Sequence, residues 1–157
     1  MFRFVSLILA AMALLVVPAV GQSPGKDRAP DKDKSPDTAK KTFQAGLATS
    51  NITPWLGGGL VGNFGTPPPA EFVHDELHAR CFVLDDGSTR IVLVVCDSIY
   101  ISREVLDEAK RQVTEATGIP ADRILICGTH THSSVSARWK NPLKPEDEFT
   151  EYQQFIA

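Results

Sequence analysis

The sequence predicts an α/β fold: a mixed sheet built from a β-hairpin and a right-handed β-α-β unit. Three observations carry this. Residues 90–97 (RIVLVVCD) and 124–127 (ILIC) are unbroken apolar runs, the pattern of strands covered on both faces. Between them Val105, Leu106, Ala109, Val113 and Ala116 recur at helical spacing. Upstream, Asp85-Asp86-Gly87-Ser88 has hairpin-turn chemistry, with Gly87 free to take a positive φ. Strand, helix and strand at this spacing imply a right-handed crossover joining parallel strands.

Taken in order, the chain opens on an export signal. Arg3 supplies a short positive region, residues 4–17 are almost wholly apolar, and Ala19-Val20-Gly21 gives a small-x-small cleavage pattern. Residues 1–21 are therefore assigned as a cleaved signal peptide. The apolar run is shorter than the roughly 20 residues of a spanning helix, and Pro18 closes it. Residues 22–41 are rich in Pro, Ser, Lys and Asp with almost nothing apolar, so a disordered tether is expected. The folded part is placed at 42–157. Its first strand is expected over 44–52, ended by Thr53-Pro54. A Gly- and Pro-rich loop follows, read as a wall of the site and anchored by Trp55 and Phe64.

Strands at 77–84 and 90–97 flank the hairpin. Ser102 is the expected N-cap of the helix, Gly118 its stop, and Pro120 prevents a restart. The strand at 123–128 comes next. From Pro145 a last helix is expected, with Glu146, Asp147 and Glu148 suited to its N-terminus. Its Phe149, Tyr152, Phe155 and Ile156 form an apolar face that reads as uncovered, which suggests a fragment of a longer protein.

Composition narrows the function. The 157 residues carry a formal net charge of -3, and 42–157 hold 9 basic against 15 acidic side chains. An acidic body without a basic stripe excludes nucleic acid as the main partner. Cys81, Cys96 and Cys127 each fall inside a predicted strand, which favours buried thiols over a disulfide framework.

The chemistry gathers where the last inner strand ends, at Gly128-Thr129-His130-Thr131-His132-Ser133. If 129–133 stays extended, His130 and His132 project the same way, giving two imidazoles to one volume and a candidate metal site. Parallel strands put Asp97 and His130 at one edge of the sheet. The antiparallel hairpin brings His74 to that edge as well, where open α/β sheets bind ligands. Asp97 is either an acceptor for an imidazole N–H or a turn residue. His74 is either a contact to the metal or to the polar rim of the cleft, or a surface loop histidine. His78 is given a structural role. Ser133 and Ser134 suit turn capping, since no Gly-x-Ser-x-Gly surrounds them.

Four segments, GLATSNITP, HDELHARCFVLDDG, IVLVVCDSIYI and above all ILICGTHTHSS, resemble the N-terminal catalytic domain of the neutral/alkaline non-lysosomal ceramidases. That family contains secreted or surface zinc amidases that hydrolyse the N-acyl bond of ceramide. The resemblance implies an α/β catalytic domain longer than this chain, with His130 as a Zn2+ ligand. It places His132 beside the substrate or the metal's water, as a catalytic group; the edge geometry adds Asp97 as a second catalytic candidate and His74 as a substrate contact. Its further ligands, a His, a Glu and a Tyr, would lie past Ala157, so this chain alone is expected to be inactive. The implied partner is a ceramide-like or other N-acylated substrate, with peripheral contact to membrane lipid, and the implied location is periplasmic, cell-surface or secreted. Where the family usually continues Gly-Pro-Gly, this chain has Ser134-Val135-Ser136. Two other readings stay open: a different His-x-His metallohydrolase, and a secreted binding domain with structural histidines.

Overall fold

A computed structural model describes residues 41–62, 64–135, 137 and 149–157. The expected export signal, nearly all of the expected tether and the predicted helix start at 145–148 lie outside these residues. Four strands, β1 (Gln44–Asn51), β2 (His78–Asp85), β3 (Arg90–Cys96) and β4 (Ile124–Gly128), form one open sheet in the order β1-β2-β3-β4. The first two pairings are antiparallel and the third is parallel, so the predicted mixed α/β sheet is what the chain forms.

The turn between β2 and β3 follows from its residues. Asp86 Oδ1 accepts from the Ser88 and Thr89 amides at 2.8 and 2.7 Å, while Gly87 sits at φ 82. These bonds set the hairpin register, which aligns Asp85 with Arg90 and Ala79 with Cys96. Helix α1 (Arg103–Thr117) crosses from β3 to β4 and ends at Gly118, whose φ of 73 is the left-handed conformation that glycine adopts without penalty. Ser102 does stand at the N-cap position. Its hydroxyl, however, makes no capping bond and is buried without a partner among the described residues.

Val105, Ala109 and Val113 of α1 are buried together with Val92, Val94, Ile124 and Ile126 in one apolar core. Ala116, expected on the same face, is exposed. A short helix α2 (Glu151–Ile156) joins this core. It is started by a reciprocal capping box in which the Thr150 hydroxyl accepts from the Gln153 amide. Tyr152 Oη donates to the Ile52 carbonyl at 3.0 Å, and Ile156 is 1% exposed. The apolar face expected to be uncovered is therefore packed inside the chain.

Two more expectations are corrected. The runs in β3 and β4 are apolar on both sides, yet only alternate residues are buried: Leu125 is 58% exposed, and Ile91 and Val95 nearly 40%. Cys81 and Cys96 are buried but Cys127 faces solvent, because its side chain points to the open side of β4.

Candidate functional site

The parallel register aligns Cys96 with Gly128, and the antiparallel one aligns Cys96 with Ala79. The ends of β3 and β4 and the start of β2 thus meet at one edge, as the strand directions require. Beyond Gly128 the ladder gives way to a fold-back. The Thr129 amide donates to the Cys96 carbonyl at 2.9 Å and the His130 amide to the Ser98 carbonyl at 3.0 Å. Gly128 makes this approach possible, since a Cβ there would lie 2.7 Å from Ser98 O.

These bonds curl the chain over the end of β3 and hold His130 at φ 63, a left-handed conformation that is strained for a residue with a Cβ. The expected extended run from 129 to 133 is not formed. The two rings converge all the same, with centroids 5.2 Å apart in an edge-to-face arrangement. Both side chains are exposed.

His130 is held at its other end too. Its Nδ1 lies 3.0 Å from the Ile99 carbonyl. A carbonyl oxygen only accepts, so Nδ1 carries the proton, and the neutral ring presents Nε2 with a free lone pair. The acceptor expected for this ring, Asp97, is engaged elsewhere. Its Oδ2 accepts from the His78 amide at 3.0 Å and from Arg80 Nη1 at 2.8 Å, so Asp97 fastens the start of β2 to the end of β3. Sequence reasoning missed Ile99 because a main-chain acceptor leaves no trace in residue type.

The remaining candidates are dispersed. His74 is exposed and paired with its neighbour, Nδ1 to Asp75 Oδ2 at 2.7 Å. His78 is half-buried, with Nδ1 3.1 Å from the Glu76 carbonyl. Among the described residues no group of three or more His, Cys, Asp or Glu is placed to hold a metal ion.

The glycine-rich loop lies against the histidine segment. Residues 57–60 and 68–70 pair through Gly57–Ala70, Leu60–Pro68 and Ala70–Gly58 main-chain bonds, each 2.8 Å. The loop then grips the histidine segment through the Val61 amide, which donates to the Ser134 carbonyl at 3.1 Å, and a Leu60–Val135 bridge. Ser134 is 1% exposed, and its hydroxyl has no partner among the described residues. Trp55 meets Phe155 at 5.4 Å, whereas Phe64, expected as the second anchor, stands fully in solvent.

No family model matches the chain. Among solved structures it is similar to neutral ceramidase from Pseudomonas aeruginosa, with 23% identity and a TM-score of 0.51. A second similar structure, a ceramidase complexed with C2, gives the same identity and score. Each match covers 61% of this chain and 16% of the other, so the chain spans about a sixth of the length of the structures it resembles. At this identity the likeness is one of fold alone.

Proposed function

We propose that this chain is part of an exported, zinc-dependent hydrolase of amide (N-acyl) bonds, acting on a ceramide-like or related acylated lipid. The observation that carries the reading is the paired imidazoles at the sheet edge, one with its proton fixed on Nδ1 by a main-chain carbonyl. A histidine that binds a metal usually donates its other N–H to such a partner. The donor set fits zinc in part. His130 offers Nε2, and the rest of a four-coordinate site would come from outside the described residues.

Zinc bound there would polarise an amide carbonyl and lower the pKa of water to about 7. The chain's own residues do the rest. His130 holds its position through two bonds, amide to Ser98 and ring to Ile99, and so points Nε2 at a fixed spot. His132 lies beside that spot and is exposed, as a group exchanging a proton with substrate must be. Asp97 keeps the edge in register through Arg80 and the His78 amide. His74, exposed and paired with its neighbour Asp75, would serve as a contact for the polar part of a substrate.

The test is zinc binding by the full-length protein of which this chain is proposed to be part, read by equilibrium dialysis. His130→Ala should lower affinity by more than the roughly 10–100-fold that losing an outer-shell partner costs. Equal zinc retention by wild type and H130A would sink the proposal.

A further inference from the structure

We propose that Gly62 is a positioning residue for His132: the bare main chain of the 57–70 loop is the surface against which that imidazole is set. The proposal rests on the reading of the histidine pair as a functional site, and it adds the residue that aims its second member. At Gly62 a Cβ would fall 2.5 Å from His132 Nδ1 and 2.7 Å from His132 Cβ. Real Cβ atoms do not approach ring and main-chain-proximal atoms so closely, and His132 Cβ cannot swing aside without moving its backbone. Any side chain at 62 therefore displaces the ring. The His132 ring is bounded on one side by Gly62 and by the edge-to-face His130 ring at 5.2 Å on another, so the two contacts together limit its orientation.

The loop is built to keep this contact. It cannot drift away from the histidines, because Val61 and Leu60, the two residues before Gly62, are tied to Ser134 and Val135, just after His132. Gly58 repeats the device one turn of loop earlier, where a Cβ would lie 2.6 Å from Val135 Cγ1. Glycines thus stand at two of the points where loop and histidine segment come closest, which gives the Gly-rich composition of this loop a steric reason. Phosphate cradling, the usual reading of such a run, has no helix N-terminus among the described residues of this loop to work with.

The loop itself supplies a control. Gly62 has φ +104, so a substitution strains the backbone as well as meeting the ring; Gly65 has φ +90 and open space around its Cβ position. Gly65→Ala therefore carries the strain without the contact. The test is NMR of the whole chain with labelled histidines, following ring chemical shifts and ring-to-ring cross-relaxation between His130 and His132. Gly62→Ala should shift the His132 ring signals and weaken its contact with His130, whereas Gly65→Ala should leave both unchanged. In the His132→Gly background, with the ring and its Cβ gone, Gly62→Ala should lower the thermal midpoint no more than Gly65→Ala does; this arm decides the matter even if Gly62→Ala alone unfolds. Equal ring shifts in the two single variants, or an undiminished penalty for Gly62→Ala in the His132→Gly background, would overturn the proposal. Failure of the full-length protein to bind zinc would refute the metal reading alone, since ring position is measured without metal.

Discussion

The two faces of the sheet are written in nearly the same residues and meet opposite fates. On one face Cys81, Val94 and Ile126 stand in register across three strands, each at 5% exposure or less under helix α1. On the other, Leu47, Phe82, Leu93 and Leu125 form an equally apolar ladder, with Leu47 at 67% and Leu125 at 58% exposure. Hydrophobicity alone therefore does not say what is buried; the element lying on top does. A parallel pair such as β3–β4 ordinarily has both faces covered. Among the described residues the open face departs from that pattern, and the covered face carries the buried core.

The strongest way to test that contrast uses neighbours on one strand. Ile126 and Leu125 differ by a single residue and by which face they serve. Ile126→Ala removes a side chain 5% exposed in the core and should cost about 2–5 kcal/mol of unfolding free energy, from lost transfer energy and the cavity left behind. Denaturant titration gives the value directly. A cost under about 1 kcal/mol, the range of ordinary surface changes, would mean that the core under α1 is loosely packed.

How far the fold was legible follows from the same contrast. Apolar runs and turn residues identify every strand, because period and turn chemistry are local properties. They also give the shared edge of Cys96, Gly128 and Ala79, since strand direction follows from connection type. What they leave undecided is whether a continuous apolar run is covered twice or once, which depends on what the rest of the polypeptide places there. Cys127 shows the consequence: its residue type and strand setting matched those of Cys96, yet it points to the open side. At the site, the pairing of His130 with His132 was legible from spacing, although the reason given for it was not the operative one. The rings meet because a fold-back held by Cys96 and Ser98 carbonyls turns His130 into the left-handed region. Bonds to main-chain carbonyls depend on backbone position and have no signature in side-chain identity.

A second test reads the covered face through its thiols. Burial pushes Cys81 up to about 11, and burial together with the Cys127 and Asp97 charges pushes Cys96 up to about 12, from an ordinary 9.0. Both thiols are neutral when folded, whereas in the unfolded chain they ionise from about pH 9. Above that pH the unfolded state sheds protons that the folded state retains. The stabilisation is complete below pH 9 and is lost as pH rises from 9 to about 11 for Cys81 and about 12 for Cys96, with a slope of at most about 1.4 kcal/mol per pH unit per thiol. Burial of Tyr152 raises its phenol as well and adds to the loss at higher pH. Denaturation curves from pH 8 to 11 should be steeper in pH for wild type than for a Cys81→Ala/Cys96→Ala variant. Parallel slopes would mean that water reaches both thiols.

The smallest effect is the most demanding of the comparison. Leu125→Gln exchanges an apolar side chain on the open face for a polar one of similar length. If that face meets only water in the isolated chain, nothing is unpacked and no polar group is buried, so stability should change by less than about 0.5 kcal/mol. The exposed ladder would at the same time lose part of a contiguous apolar patch of the kind that drives association, so the variant should stay monomeric to higher concentration than wild type by light scattering. A cost above about 1 kcal/mol, in a chain shown to be monomeric, could not come from a solvated side chain. It would mean that something in the same polypeptide covers Leu125, and the distinction between the two faces would fall.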